Sequence, residues 1–137
     1  MGEEGLGNLR GVRAFFEENK NIDAAIIVES FPVGAAGIVS TASNRYEITY
    51  EGPGGHSYAA FGQVPSAIHA MGRAIAKISD LDVPKAPRTT YNVGIVKGGR
   101  SINTISPDAA MEVDIRSDGT KELADLTKQI LTIIDQS

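Results

Sequence analysis

One of the two histidines in the chain stands in a glycine-rich turn, Gly52–Ser57, with the sequence GPGGHS. The turn directly follows an alternating, strand-like segment, residues 46–50. Glycines allow backbone dihedral angles that other residues avoid, so His56 is expected to point away from its own strand. An imidazole there can donate a hydrogen bond to an oxygen that becomes anionic during acyl transfer. The alternative is a plain hairpin exit without a chemical role.

A second glycine-rich segment, Gly98–Asn103 (GGRSIN), is followed by Arg116 on the polar face of a predicted strand. An arginine fork and the Asn103 amide can bind a substrate carboxylate. Both residues also have an ordinary interpretation. Arg116 can belong to a cross-strand surface charge pair, and Asn103 can be a turn residue whose side chain satisfies the backbone.

Three carboxylates form the last candidate group. Glu3 and Glu4 are adjacent, and Glu29 follows the apolar run Ala24–Val28. Carboxylates at the ends of strands in α/β proteins often line a site. Two neighbouring glutamates can divide labour, one binding a metal and the other acting as general base on a metal-bound water. Alternatively, they are solvated and complement the dipole of the helix that follows.

Composition narrows the classes of function. A chain of 137 residues suits one domain, or one domain and part of another. A net charge of −4 without a basic stripe argues against nucleic-acid binding. The absence of cysteine excludes disulfides and thiolate metal sites and is typical of the reducing cytosol. No apolar run approaches the roughly 20 residues of a membrane span, and no signal peptide is visible. We therefore expect a cytoplasmic protein without nucleic-acid or membrane partners.

The first thirty residues have α/β character. Apolar residues three and four apart predict a helix that begins near Leu9 with Asn8 as its cap. The continuous apolar run Ala24–Val28 predicts a buried, parallel strand after it.

From about residue 31 the pattern changes to β-β-α-β-β-α. Residues 38–41 and 45–51 read as two strand arms around Ser43-Asn44, and Pro65 suits the first turn of the helix that follows. The remaining predicted elements are a helix over Val64–Ser79, strands over Arg88–Val96 and Ala109–Arg116, and a helix over Lys121–Asp135. This order predicts an α+β fold, with a ferredoxin-like antiparallel sheet and two helices on one face.

Four motifs occur in an order that resembles a known family. They are Gly2–Gly7 (GEEGLG), Gly54–Ser57 (GGHS), Gly98–Ile105 (GGRSINTI) and Val113–Arg116 (VDIR). Together they resemble the dizinc exopeptidase family of aminoacylases, glutamate carboxypeptidases, tripeptidases, dipeptidases and acetylornithine deacetylases. The matches run across nearly the whole chain.

The resemblance implies a role for each acidic candidate. Glu3 would be the general base that deprotonates the bridging water, Glu4 a zinc ligand, and Glu29 a further acidic ligand. The family's early His-x-Asp motif and final ligand histidine are not in the sequence. A site for two zinc ions needs about five protein ligands, so the chain is expected to bind zinc weakly or not at all, and to be inactive alone.

The resemblance also implies roles for the remaining candidates. His56 would reach across a homodimer into the partner subunit's site and stabilise the oxyanion. Asn103 and Arg116 would hold the carboxylate or backbone of the substrate, a peptide or N-acyl amino acid. Ser106 stands where the family commonly has proline, a difference expected to alter only the stiffness of the loop.

Residues 1–30 would then be a helix–strand remnant of the α/β catalytic domain, and residues 31–137 the dimerisation, or lid, domain. The parent would be a zinc-dependent metallopeptidase or deacylase. The alternative is a stand-alone ferredoxin-like module for small-ligand binding or assembly, in which His56 and Arg116 bind a small anion or nothing.

Overall fold

The computed structural model describes residues 9–26, 28, 33–37 and 40–137. The chain divides into two compact units, Met1–Gly37 and Ile38–Ser137. Within the described ranges, no helix combines the length and apolar character needed to cross a membrane.

Among the described residues of the first unit, one helix forms, α1, over Arg10–Glu18. Leu9 precedes it in the left-handed region with φ of 59° and provides no side-chain cap. Asn8, the predicted cap, lies outside the described residues. At the other end, the Asn19 side chain donates to the carbonyl of Phe15 at 2.8 Å. No residue of α1 is buried.

The predicted buried strand over Ala24–Val28 is wrong. Residues 24–26 and 28 have no regular secondary structure, and Ile26 and Val28 are 95% and 96% exposed. A strand needs a neighbour for its backbone hydrogen bonds. Both sheets of the described chain are built from segments between Ala42 and Ser117. No described strand pairs with residues 24–26 and 28, so these residues stay irregular.

The second unit is α+β and carries the ferredoxin-like fold predicted from the sequence. Strands β1, β5 and β3 form an antiparallel sheet in that order, while β2 and β4 form a separate two-stranded sheet. The elements are β1 Ala42–Glu51, β2 Gly55–His56, α2 Ala67–Ser79, β3 Thr89–Gly98, β4 Thr104–Ile105, β5 Asp108–Ser117 and α3 Thr120–Asp135.

The core lies between one face of the larger sheet and the two helices. Met111, Val113 and Ile115 of β5 are at most 2% exposed, as their alternation predicts. They pack with buried residues of the helices, which are Ala67, Met71, Ala74 and Ile78 of α2 and Leu123, Leu126 and Ile130 of α3. The other face of β5 is polar and open, and it carries Glu112, Asp114 and Arg116.

Strand β1 differs from the prediction of two arms around a turn at Ser43-Asn44. It is continuous, and Ile38 and Val39 of the first arm lie outside the described residues. The Asn44 amide donates to the hydroxyl of Thr127 in α3 at 3.0 Å. A partner distant in sequence therefore keeps this turn-forming residue inside a strand.

Other element boundaries moved by a few residues. Helix α2 begins at Ala67 rather than Val64, because the Ser66 hydroxyl caps it by accepting from the backbone N–H of His69 at 3.4 Å. Pro65 therefore lies before the cap. Strand β3 continues to Gly98, with a β-bulge between Val93 and Ile95.

Candidate functional site

The two short strands bring the histidine turn and the asparagine loop together. Gly55 pairs with Ile105 and His56 with Thr104, antiparallel. The backbone N–H of Ser57 donates to the carbonyl of Asn103 at 2.9 Å. We refer to residues 52–64 and 99–107 as the tip. His56 and Asn103 are thus neighbours at the tip, on segments that are far apart in sequence.

The two glycines that precede His56 cannot be replaced without strain. Gly54 has φ of +69°, in the left-handed region that side chains rarely adopt. A Cβ on Gly55 would lie 2.8 Å from the Cβ of Ala60, closer than real contacts allow. The glycine-rich turn is therefore needed for the path of the backbone that presents His56.

The His56 side chain is exposed, and its ring is oriented by the turn that follows. Its Nδ1 atom accepts a hydrogen bond from the backbone N–H of Tyr58 at 3.3 Å. An accepting nitrogen carries no proton, so the proton of the neutral ring lies on Nε2. The ring therefore offers Nε2–H as a hydrogen-bond donor.

Asn103 is also exposed and contributes a second donor to the tip. Its Oδ1 accepts from the hydroxyl of Ser101 at 2.8 Å. Its Nδ2 has no partner in the part of the chain that the structure describes. The side chain is therefore not used for the backbone turn contact that was the ordinary interpretation of this residue.

The base of the tip is fastened to the rest of the fold through Ser106 and Pro107. Their carbonyls accept from the N–H of Ala67 at 3.0 Å and of Gly52 at 2.7 Å. The Ser106 side chain is buried, and its hydroxyl donates to the carbonyl of Asp108 at 2.7 Å. Proline could not make that last bond, so the departure from the family's pattern affects more than the stiffness of the loop.

Arg116 lies at the opposite end of β5 from the tip. It pairs with Ser43 of β1 and Thr90 of β3, whereas Asp108 begins the strand beside the tip. Eight residues of extended strand separate Arg116 from Asp108, or about 27 Å at the usual rise per residue. One chain therefore does not bring Arg116 into a common pocket with His56 and Asn103.

Arg116 belongs instead to an arginine cluster, which we define as Arg45, Asp114 and Arg116. The Asp114 carboxylate accepts from Nε of Arg45 at 3.0 Å and from Nε of Arg116 at 2.6 Å. Burial raises the pKa of Asp114, but the hydrogen bonds from Arg116 and Arg45 outweigh it and hold the pKa below its ordinary value.

Sequence reasoning missed two members of this cluster. Arg116 pairs with an aspartate on its own strand, and the cross-strand pair is formed by Arg45. The spacing of Asp114 and Arg116, two apart on one face of a strand, could have indicated the first pair. Arg45 could not be found without the register of β1 against β5.

The described residues contain no group of three histidine, aspartate or glutamate side chains placed to hold a metal ion. The general base Glu3 and the metal ligands Glu4 and Glu29, as predicted, lie outside the described residues.

Comparison with known proteins identifies the family. Residues 41–137 match the model of the peptidase dimerisation domain. No curated protein matches the chain.

Solved structures share the fold at low identity. An aminobenzoyl-glutamate utilization protein from Klebsiella pneumoniae is similar, with 16% identity and a TM-score of 0.66 over 70% of this chain and 24% of that one. An amidase of the hydantoinase/carbamoylase family from Burkholderia multivorans has 22% identity and a TM-score of 0.63, over 73% of this chain and 25% of that one. A tripeptidase from Staphylococcus aureus has 22% identity and a TM-score of 0.55, over 70% of this chain and 26% of that one.

The chain thus spans about a quarter of the length of these structures. The match to the family model covers most of the chain and includes both the tip and the arginine cluster. The chain belongs to the peptidase dimerisation domain family.

Proposed function

We propose that this chain is the lid and dimerisation part of a cytoplasmic, zinc-dependent metallopeptidase or amidohydrolase that cleaves peptide or N-acyl amide bonds. Family membership supports a parent of the peptidase or amidohydrolase class. The observation that carries the proposal is the tip, where His56 and Asn103 each offer an N–H donor on neighbouring segments joined by the pairing of β2 with β4. Residues 1–30 are then a remnant of the catalytic domain, and the chain alone is inactive.

His56 is the proposed oxyanion donor. When water attacks an amide carbonyl, the oxygen becomes anionic, and a donor already in place stabilises it without reorganisation. The bond from Tyr58 to Nδ1 fixes the ring so that Nε2–H is the donor. Catalysis therefore depends on a ring whose orientation is set by the turn.

The separation of the tip from Arg116 suggests how a homodimer completes the site. Oligomers of this kind are commonly two-fold symmetric, so a site that needs both ends of the lid can take one end from each subunit. In this arrangement His56 acts in the partner subunit's site. Arg116 holds the substrate's carboxylate or backbone in its own subunit's site. Asn103 lies beside His56 at the tip and contacts the substrate in the same site as His56.

The metal chemistry belongs to the parent enzyme. Two zinc ions would lower the pKa of a bound water and polarise the scissile carbonyl. We propose Glu3 as the base that takes the proton of that water, and Glu4 and Glu29 as zinc ligands. We assign the remaining zinc ligands to other parts of a longer parent enzyme.

Subunit complementation tests the proposal in the full-length enzyme. His56→Ala and Arg116→Ala homodimers should each be strongly impaired in amide hydrolysis. A heterodimer of the two variants retains one intact site if His56 and Arg116 act in the same site from different subunits. Random mixing and re-equilibration should then restore about a quarter of the wild-type activity.

The outcomes separate the alternatives. No recovery after mixing, with heterodimers verified by mass spectrometry of differently labelled subunits, would contradict the shared site. His69→Ala serves as the matched control, because His69 is the other histidine and lies exposed on α2. Full activity of His56→Ala would disprove the oxyanion role.

A further inference from the structure

The contact that holds Arg116 leaves most of its guanidinium unused. Only Nε donates to Asp114, at 2.6 Å. Among the described residues, the two terminal nitrogens of Arg116 have no partner. The side chain is 48% exposed on the open face of the sheet. A carboxylate from solution can therefore meet the two-nitrogen edge of a guanidinium that is already fixed at its third nitrogen.

The arginine cluster brings two guanidinium groups to one carboxylate. An isolated pair of Arg116 and Asp114 would be neutral and would attract an anion poorly. Arg45 binds the other oxygen of the same carboxylate at 3.0 Å and restores one positive charge. The residues directly opposite are uncharged, since Ser43 and Thr90 lie opposite Arg116 and Asn92 lies opposite Asp114. Two positions further along the same face, Glu47 and Glu112 lie opposite each other.

We propose that Asp114 is a positioning residue that presents Arg116 to the carboxylate of the substrate, and that Arg45 offsets the negative charge of Asp114 by binding its other oxygen. The inference rests on the proposed function, in which Arg116 binds substrate. It adds two residues to that site and explains the division of the guanidinium. The Nε atom of Arg116 binds Asp114 and orients the side chain, and the two terminal nitrogens are left to bind the substrate. Because Asp114 already holds the Arg116 side chain, less conformational entropy is lost when the substrate binds.

A different result is expected if Asp114 and Arg116 form only a structural ion pair on the surface. Such pairs contribute at most about 1 kcal/mol to folding and do not affect substrate affinity. If Asp114 acts through Arg116, its removal must raise the Michaelis constant, and the effect must disappear once Arg116 is gone.

The test is a double-mutant cycle on the full-length enzyme, with steady-state kinetics on a substrate that carries a free carboxylate. Asp114→Ala should raise KM about tenfold, the scale expected for loss of a hydrogen bond to a charged group, with a much smaller change in kcat. Asp114→Ala added to Arg116→Ala should raise KM no further. Asp114→Asn, whose amide oxygen still accepts from Nε, should recover part of the affinity.

Glu112→Ala is the matched control. Glu112 is an exposed carboxylate on the same face of the same strand, and it pairs with Lys97 at 3.8 Å. Its removal should leave KM unchanged. Thermal unfolding verifies that each variant is folded. Should Asp114→Ala fail to fold, Asp114→Asn and Arg45→Ala carry the test, and both should raise KM less than Arg116→Ala does.

The inference and the proposed function can fail separately. If Arg116→Ala raises KM while Asp114→Ala matches Glu112→Ala, the positioning role is wrong and the proposed function stands. If the effects of Asp114→Ala and Arg116→Ala on KM add, Asp114 does not act through Arg116. If Arg116→Ala itself leaves KM unchanged, the substrate role of Arg116 is wrong, and the positioning role is overturned with it.

Discussion

The two ends of β5 are held in place by different forces. At the tip, backbone hydrogen bonds between two-residue strands and a tight glycine turn fix the path of the chain. In the arginine cluster, charged side chains on neighbouring positions of a regular sheet orient one another. Substitutions that change the backbone conformation should therefore disturb the tip, and substitutions that change charge should disturb the arginine cluster. This difference gives the substitutions below their expected sizes.

The largest effect is expected for His56→Ala in the full-length enzyme. Losing a preorganised oxyanion donor should lower kcat about a hundredfold or more, as measured by steady-state hydrolysis. Zinc content, measured by atomic emission, should not change. His69→Ala should retain activity. A loss of zinc in His56→Ala would place the residue at the metal instead, and an equal loss of activity in His69→Ala would remove the distinction between the two histidines.

Gly55→Ala tests the backbone origin of the tip. The added methyl meets Ala60 at 2.8 Å, so overpacking should destabilise the chain by about 1–3 kcal/mol in urea unfolding. Gly72→Ala is the control of opposite sign. It lies exposed on α2 with no atom within 4 Å of the added methyl, and should stabilise the helix by up to about 1 kcal/mol. Equal stability of Gly55→Ala and the wild type would show that the turn adapts easily.

Arg116→Lys tests the arginine cluster without removing its charge. Lysine lacks the fork and the Nε donor, so KM for a carboxylate-bearing substrate should rise about tenfold while kcat changes less. Arg73→Lys is a suitable control, since Arg73 lies on α2 and donates to the carbonyl of Ser137. A KM unchanged by Arg116→Lys would mean that a point charge is sufficient at this position.

The smallest expected effect is on the titration of Asp114. Its pKa is lowered in the fold, so its contribution to stability is present above the ordinary aspartate pKa and is lost as the pH falls through the lowered value. Arg45→Ala should raise this pKa, as followed by NMR of the side-chain carboxyl carbon. Lys97→Ala is the control, because Lys97 pairs with Glu112 and not with Asp114. This substitution should leave the pKa of Asp114 unchanged. If the pKa of Asp114 is the same in Arg45→Ala as in the wild type, Arg45 does not stabilise the Asp114 carboxylate.

Long periodic segments of this fold could be predicted from the sequence. The alternation of Met111, Val113 and Ile115 correctly assigned the buried face of β5. The apolar stripes correctly gave α2 and α3, with starts displaced by one to three residues. These signals are local, because the period of the pattern is the period of the structure.

The remainder depended on partners distant in sequence. Strands β2 and β4 are two residues each, too short to show any period. Asn44 stays within β1 because Thr127 accepts its amide proton, which no local pattern reveals. For the site, the motifs identified His56 and Asn103 separately, but their adjacency comes from the pairing of β2 with β4. Arg45 and Asp114 likewise meet only through strand register.

The bonds at the base of the tip have a mechanical consequence. Since the N–H of Ala67 donates to the carbonyl of Ser106 and that of Gly52 to Pro107, the segment carrying His56 is tethered to the start of α2 and to the main sheet. A movement of this segment away from α2 and the sheet would have to break or strain these bonds. The segment from Gly52 to Ala67, which carries His56, is thus closed at both ends against two adjacent residues, Ser106 and Pro107.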